Sequence, residues 1–348
     1  MSTYAIVITI LIFFYAFYTG FNDGSNAIAT TIATRALKPR KAIMIAAVAK
    51  FVTPFLIYFL GIWTGSWGMA VASNISDKTI FPSYFEGISQ EMAFIFMLTA
   101  LLGTFVWGIT AYIFRIPIST SHTLIGGIIG AGIAAFGFSS IQWTEFVLIY
   151  VILMVALSPI IGLVFSFFLM KLFKRLARKA HRRINSVLVA VQQINIVILS
   201  GSFASNNAQK GLGIFMMMGV LGLYTYDQTP VWMVFIIAFA LTAGLLLGGF
   251  RVVNTIGRKI FKMQDLHSVT AQLATSVVMI AATEMGISVS TGQLMSSSVM
   301  GVGAAERAHS VKWDMALRIA VSWFLTLPIA ALIGGLFYYI LGNLILGL

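Results

Sequence analysis

The 348-residue chain has no cysteine, which excludes disulfides and thiolate metal sites. Acids are scarce as well: ten Asp and Glu stand against 22 Lys and Arg, charged residues make up 9% of the chain, and the formal net charge is +12. Soluble globular proteins carry about 25% charged residues, so these few charges cannot clothe a water-exposed surface of this size. A soluble enzyme, a secreted disulfide scaffold and a disordered chain are all excluded. With four histidines, no H-E-x-x-H and no Walker A sequence, no metal-ligand cluster and no direct drive by ATP is expected. No Ser-His-Asp spacing suggests an enzyme.

Hydrophobic residues, by contrast, make up 59% of the chain. A helix spanning a bilayer needs about 20 apolar residues. Uninterrupted candidates occupy 42–64, 92–113, 146–170, 231–250, 269–285 and 314–341. Four further stretches, 4–34, 116–137, 187–224 and 286–305, are broken by glycine and small polar residues. The breaks fall at Gly20–Asn26, Pro117–Thr123, Gly201–Lys210 and Gly286–Gln293. The first stretch has no basic leader and no small-residue cleavage site, so it reads as a retained membrane segment.

Basic clusters orient the chain. Arg35, Lys38, Arg40 and Lys41 form one, Lys171 to Arg183 the largest, and Arg251, Arg258, Lys259 and Lys262 a third. The positive-inside rule makes all three cytoplasmic, which also accounts for the net charge by anionic lipid and not by nucleic acid. Asp77, Glu86, Glu91 and Asp227 then fall outside. With Arg115 inside, each broken stretch must make one net crossing. The expected fold is an all-α polytopic membrane protein of about ten net crossings, placed in a prokaryotic cytoplasmic membrane. Two inverted-topology repeats with broken helices and re-entrant hairpins, residues 1–170 and 187–348, are joined by a basic cytoplasmic connector, 171–186. Arg115 to His122 echoes Gly286 to Gln293, and Asn22-Asp23 echoes Asn206-Asn207. Inverted repeats with matching broken helices are the pattern of secondary transporters.

Polar groups in a membrane core are costly and face a cavity or another helix. Asp23, with Asn22 and Asn26, offers hard oxygens at an unwound segment, suited to a small cation or a proton. The competing reading is a kinked helix whose polar groups satisfy freed backbone. Ser119, Thr120 and Ser121, and likewise Ser290 and Thr291, stand where half-helices begin. Helix N-termini attract anions, so two converging tips would hold a compact tetrahedral oxyanion; ordinary Ser/Thr packing between helices is the alternative. His122 reads as a packing residue or a proton carrier. Lys50 lies too deep to snorkel and must pair with an acid or serve an anion site.

Gly20-Phe-Asn-Asp-Gly-Ser-Asn-Ala-Ile-Ala-Thr30, with Ala36-Leu-Lys-Pro-Arg-Lys-Ala42, resembles the signature of the inorganic phosphate transporter (PiT) family. Pro117 to Gly127 resembles its first hairpin tip. Ser205 to Lys210, Ser288 to Thr291, Gly301 to Arg307 and Trp323 to Pro328 resemble the second-repeat counterparts and the closing helix. The resemblance implies uptake of inorganic phosphate by symport with protons or sodium, with no cofactor. It assigns Ser119, Thr120, Ser121, Ser290 and Thr291 to the anion and Asn22, Asp23, Asn26, Asn206 and Asn207 to the coupling cation. His122, Lys50 and Gln293 are candidate proton or anion contacts.

The second repeat departs from the family pattern. Asn207 replaces a usual Asp, Gln293 a His, Ser288 a Pro and Gln272 a Glu, and Lys50 stands where a neutral residue is usual. Apart from Ser288, each change removes a negative or titratable group or adds a positive one, which implies fewer coupled cations per anion. The rival functions are a permease for sulfate or another tetrahedral oxyanion, and an uncoupled anion channel or sensor. Homo-oligomerisation is left open.

Overall fold

The computed structural model describes residues 2–64, 69–114, 116–179, 184–225, 228–248 and 260–347. Arg115, Arg182, Arg183, Asp227, Arg251, Arg258 and Lys259, all used above to orient the chain, lie outside the described residues. The first half contains α1 (Thr3–Asp23), α2 (Ala29–Ala33), α3 (Pro39–Thr64), α4 (Ala70–Lys78), α5 (Gln90–Phe114), α6 (Thr120–Phe136) and α7 (Met154–Leu176). The second contains α8 (Ile184–Val220), α9 (Val231–Gly248), α10 (Asp265–Glu284), α11 (Thr291–Arg307) and α12 (Trp313–Leu346). Among the described residues the one β feature is an isolated bridge between Ile80 and Ile141.

Eight helices are long and apolar enough to cross a membrane, so the chain is an all-helical, multi-pass membrane protein. Its surface is apolar where a soluble protein's would be polar. Ile6, Ile10 and Phe14 form an exposed stripe on α1, and Leu332, Leu336 and Ile340 form one on α12. The i, i+4 spacing puts each set on one helix face, turned toward lipid. Polar residues such as Thr30, Ser121 and Thr291 are buried instead. Stabilisation inside lipid comes from close packing and interhelical hydrogen bonds.

Two of the expected breaks differ in the structure, one being shorter and starting later, the other missing. The first stretch stays helical through Asp23 and breaks over Gly24–Ala27, a 3₁₀ turn leading to α2. Gly20 leaves the helix intact and serves a close approach, since a Cβ there would overlap the Leu241 carbonyl of α9. The expected break at Gly201–Lys210 is absent, and α8 is one 37-residue helix. Its polar residues need no unwinding because other segments satisfy them: Asn206 Nδ2 donates to Thr283 Oγ1 at 2.9 Å and to the Ile287 carbonyl at 3.1 Å. The other two breaks fall as expected, at 116–119 before α6 and at 285–290 before α11.

Hydrogen bonds define the two ends of the bundle. At one end, Thr34 Oγ1 donates to Gln192 Oε1 and Gln192 Nε2 to Asp265 Oδ1. There too, Glu306 bridges Lys174 (2.9 Å) and His267 (3.4 Å). These contacts gather the 34–41, 171–179 and 260–267 regions, with their exposed basic residues, on one side. At the other end, Ser2 Oγ meets the Leu223 carbonyl, Tyr58 reaches Thr229, and Gln142 Nε2 donates to the Asp77 carbonyl.

Candidate functional site

The site is built where α6 and α11 begin. Ser119 is the N-cap of α6, accepting from the His122 N–H at 3.3 Å; Ser290 caps α11, accepting from the Gln293 N–H at 3.4 Å. Each serine satisfies one of the orphan donors of a helix start and leaves its own hydroxyl hydrogen free. The two tips meet: Ser121 Oγ donates to the Val289 carbonyl at 3.2 Å, and Gln293 Nε2 lies 3.4 Å from His122 Nδ1. His122 and Gln293 occupy the same position, three residues past the cap, in the two helices.

Neighbouring elements hold the tips in place. Ser322 of α12 donates to the Pro117 carbonyl at 2.6 Å, fixing the approach to α6. Asn74 of α4 donates to the Gly286 carbonyl at 2.9 Å, fixing the approach to α11. Gly286 adopts φ +74, a left-handed conformation that glycine takes without strain. Gln209 of α8 accepts from the Val71 N–H at 2.9 Å and so anchors the start of α4. The sequence gives no expectation of α4, a nine-residue helix whose Val71, Ala72, Asn74 and Ile75 are buried.

The break after α1 faces both tips. Asp23 is 4% exposed; its Oδ2 accepts from Thr120 Oγ1 at 2.6 Å and its Oδ1 from Asn22 Nδ2 at 3.1 Å. Asn26 Nδ2 donates to Thr291 Oγ1 at 3.3 Å. The residues expected to hold an anion and those expected to hold a cation therefore form one cluster, joined by Thr120 and Thr291. Carboxylate, amide and hydroxyl oxygens around Asp23 are the donor set of a hard cation. Among the described residues no group of three or more His, Asp or Glu could hold a metal.

Asn207 arrives differently from its counterpart Asp23. Its Oδ1 accepts at 2.8 Å from the ammonium of Lys210, which also donates to the Val289 carbonyl at 3.2 Å. Lys210 is fully buried, as is Lys50 on α3. Lys50 Nζ has no hydrogen-bond partner among the described residues, and neither do Asn206 Oδ1, Asn207 Nδ2, Ser288 Oγ and Gln293 Oε1. Lys210 is the buried charged residue of this cluster that sequence reasoning left without a role, although the cost argument applied to Lys50 applies to it equally. Glu284 ends α10 exposed and takes no part. Gln272 joins α10 to α2 through Thr30 and Thr31. A cleft of about 190 Å³ lined by Phe17, Tyr18, Phe21, Ile109 and Tyr112 is apolar and includes none of these polar groups.

A family model described as the phosphate transporter family matches residues 19–334. A Bacillus subtilis protein named "Probable low-affinity inorganic phosphate transporter" is 35% identical over 317 residues, covering 90% of each chain. A Rhizobium meliloti protein of the same name is 35% identical over 331 residues, covering 94% of this chain and 93% of that one. A solved structure, "The sodium-dependent phosphate transporter", superposes with TM-score 0.83 over 99% of this chain and 100% of that one, at 21% identity. That likeness concerns the fold. These relatives are transporters, not enzymes.

Proposed function

Because the chain belongs to the phosphate transporter family, we propose that it carries inorganic phosphate across a prokaryotic cytoplasmic membrane by symport with protons or sodium. The observation that carries this reading is the meeting of two serine-capped helix N-termini inside the bundle, tied by Thr120 to a buried carboxylate. The tips supply N–H and hydroxyl donors and the positive dipole ends for the oxyanion. Asp23 supplies the one buried negative group among the described residues that can bind a cation or proton. The Thr120–Asp23 bond couples the two, because occupancy on one side moves a residue of the other.

Alternating access around this site is part of the proposal, as is its construction from inverted halves, 1–170 and 187–348, about the connector 171–186. Support comes from the helix ends: α1 starts at the end opposite the basic side and α8 starts at the basic side. Matching caps on α6 and α11 support it as well. Burial of Asp23, Ser119, Thr120, Ser121, Ser290 and Thr291 supports this reading, and the Lys174–Glu306–His267 bridge ties α7, α10 and α11 together at the basic end.

The test is uptake of labelled phosphate into proteoliposomes containing the purified protein, under imposed proton or sodium gradients. Concentrative uptake under one gradient, resisted by excess unlabelled phosphate more than by sulfate, is expected. Preference for sulfate would replace phosphate by another oxyanion, and flux indifferent to both gradients would make the protein an uncoupled pathway.

A further inference from the structure

The buried face of α1 changes character along its length. Counted from the end opposite the basic side, it presents Ile8, Ile12, Tyr15, Thr19 and Asp23, all buried. Spacings of three and four residues stack them on one side of the helix. The two outer residues are apolar and the three inner ones carry side-chain oxygens. Asp23 belongs to the site described above, but the Tyr15 and Thr19 hydroxyls lie beyond it, and neither has a hydrogen-bond partner among the described residues. Equivalent groups elsewhere in the chain are satisfied. Thr53, Thr99, Thr104, Thr242, Thr270 and Thr326 each donate to the carbonyl four residues earlier, at 2.7–2.9 Å. Thr19 has the same option in the Tyr15 carbonyl and leaves it unused. Tyr18 donates to the Gly108 carbonyl at 3.0 Å, while Tyr15, fully buried, reaches no acceptor among the described residues.

We infer that Tyr15 and Thr19 hold a short file of water that joins Asp23 to the outer side, and that the coupling cation reaches the carboxylate along it. The inference rests on the symport reading above and adds a route to it. A hydroxyl without a partner is costly in the membrane interior, and a bridging water satisfies it nearly as well as a direct bond. Asp23 can receive such a file. Its two oxygens each accept one hydrogen bond, from Asn22 and from Thr120, and each has a second lone pair to offer. Ile12 and Ile8, fully buried one and two turns further out, close the outer end of the route in this arrangement. The second half carries no such face: Phe203 and Leu199 stand at the matching spacings before Asn207, and both are buried and apolar. The hydroxyl file therefore belongs to α1 and to the outer side.

The test is phosphate transport by proteoliposomes containing the native protein, Tyr15→Phe, Thr19→Val or Thr19→Ser. Under whichever imposed gradient, proton or sodium, drives native accumulation, Tyr15→Phe and Thr19→Val should accumulate labelled phosphate about fivefold more slowly or worse. Their exchange of labelled phosphate at equal cation concentrations on the two faces should stay within about twofold of native, with no fall in melting temperature. Thr19→Ser, which keeps a hydroxyl, should match the native protein in both assays. Accumulation within twofold of native by both Tyr15→Phe and Thr19→Val overturns the inference, as do equal losses of accumulation and exchange, or a Thr19→Ser variant as slow as Thr19→Val. Should the Phe and Val variants not fold, Thr19→Cys in this cysteine-free chain decides. Its modification by a small, impermeant cationic thiosulfonate applied outside intact cells is expected, and protection from that reagent overturns the inference. A native protein that exchanges phosphate but accumulates it under neither gradient would instead refute the symport reading beneath it.

Discussion

Asp23 and the two capping serines carry the residue-scale account. Asp23→Asn removes the buried carboxylate while keeping an acceptor for Thr120, so gradient-driven accumulation should be lost while exchange of phosphate persists. Normal concentrative uptake by that variant would place coupling elsewhere. Ser119→Ala and Ser290→Ala each delete a helix cap worth about 1 kcal/mol. Each also deletes a hydroxyl donor to a charged ligand worth about 1.5–3 kcal/mol, so phosphate affinity should fall roughly tenfold or more with only a modest drop in melting temperature. Unchanged affinity in both would remove the tips from the anion site. These residues were legible in the sequence because a polar group inside an apolar stretch has few reasons to be there. The partnership of Lys210 with Asn207 and Val289 was not: Lys210 stands one helical turn from Asn207 but 79 residues from Val289, a proximity no local pattern carries.

At the scale of elements, the spans were readable from apolar length, and the starts of α6 and α11 from serines ahead of helical sequence. The continuity of α8 was not readable. Small polar residues and glycine look alike whether a helix unwinds or docks another segment, and only the bonds from Asn206 to Thr283 and Ile287 decide for docking. Helix α4 escaped notice for the same reason, being too short for a span and held by Gln209 and its packing on α8. Its role gives a prediction. Gly286→Ala forces a left-handed φ on a residue with a Cβ and drives that Cβ onto Asn74 Nδ2. The variant should lose about 1–3 kcal/mol of stability, seen as a lowered melting temperature in detergent, with weaker phosphate binding from a displaced α11 tip. Asn74→Ala, which removes the bond but adds no strain, should impair binding more than melting. Native binding by both would show that α4 does not position the tip.

For the whole molecule, the basic end gathers the starts of α3, α8 and α10 and the ends of α7 and α11, so it should face the cytoplasm. The chain has no cysteine, so single cysteines at Leu176 or Lys179, both exposed on that end, give unambiguous labelling. They should resist an impermeant thiol reagent outside intact cells, whereas cysteines at Lys78 or Glu86 should react; the reverse pattern would invert the orientation. The central claim is that the substrate anion sits between the tips of α6 and α11, beside Lys210. Arsenate is a tetrahedral oxyanion of similar size and charge, and its heavy atom can be located by anomalous scattering in crystals of the native protein. The account predicts one dominant peak within hydrogen-bonding reach of the Ser119–Ser121 and Ser290–Thr291 segments and of the Lys210 ammonium. A dominant peak elsewhere, such as the exposed lysines and arginines of the basic end, with none between the tips, would contradict it.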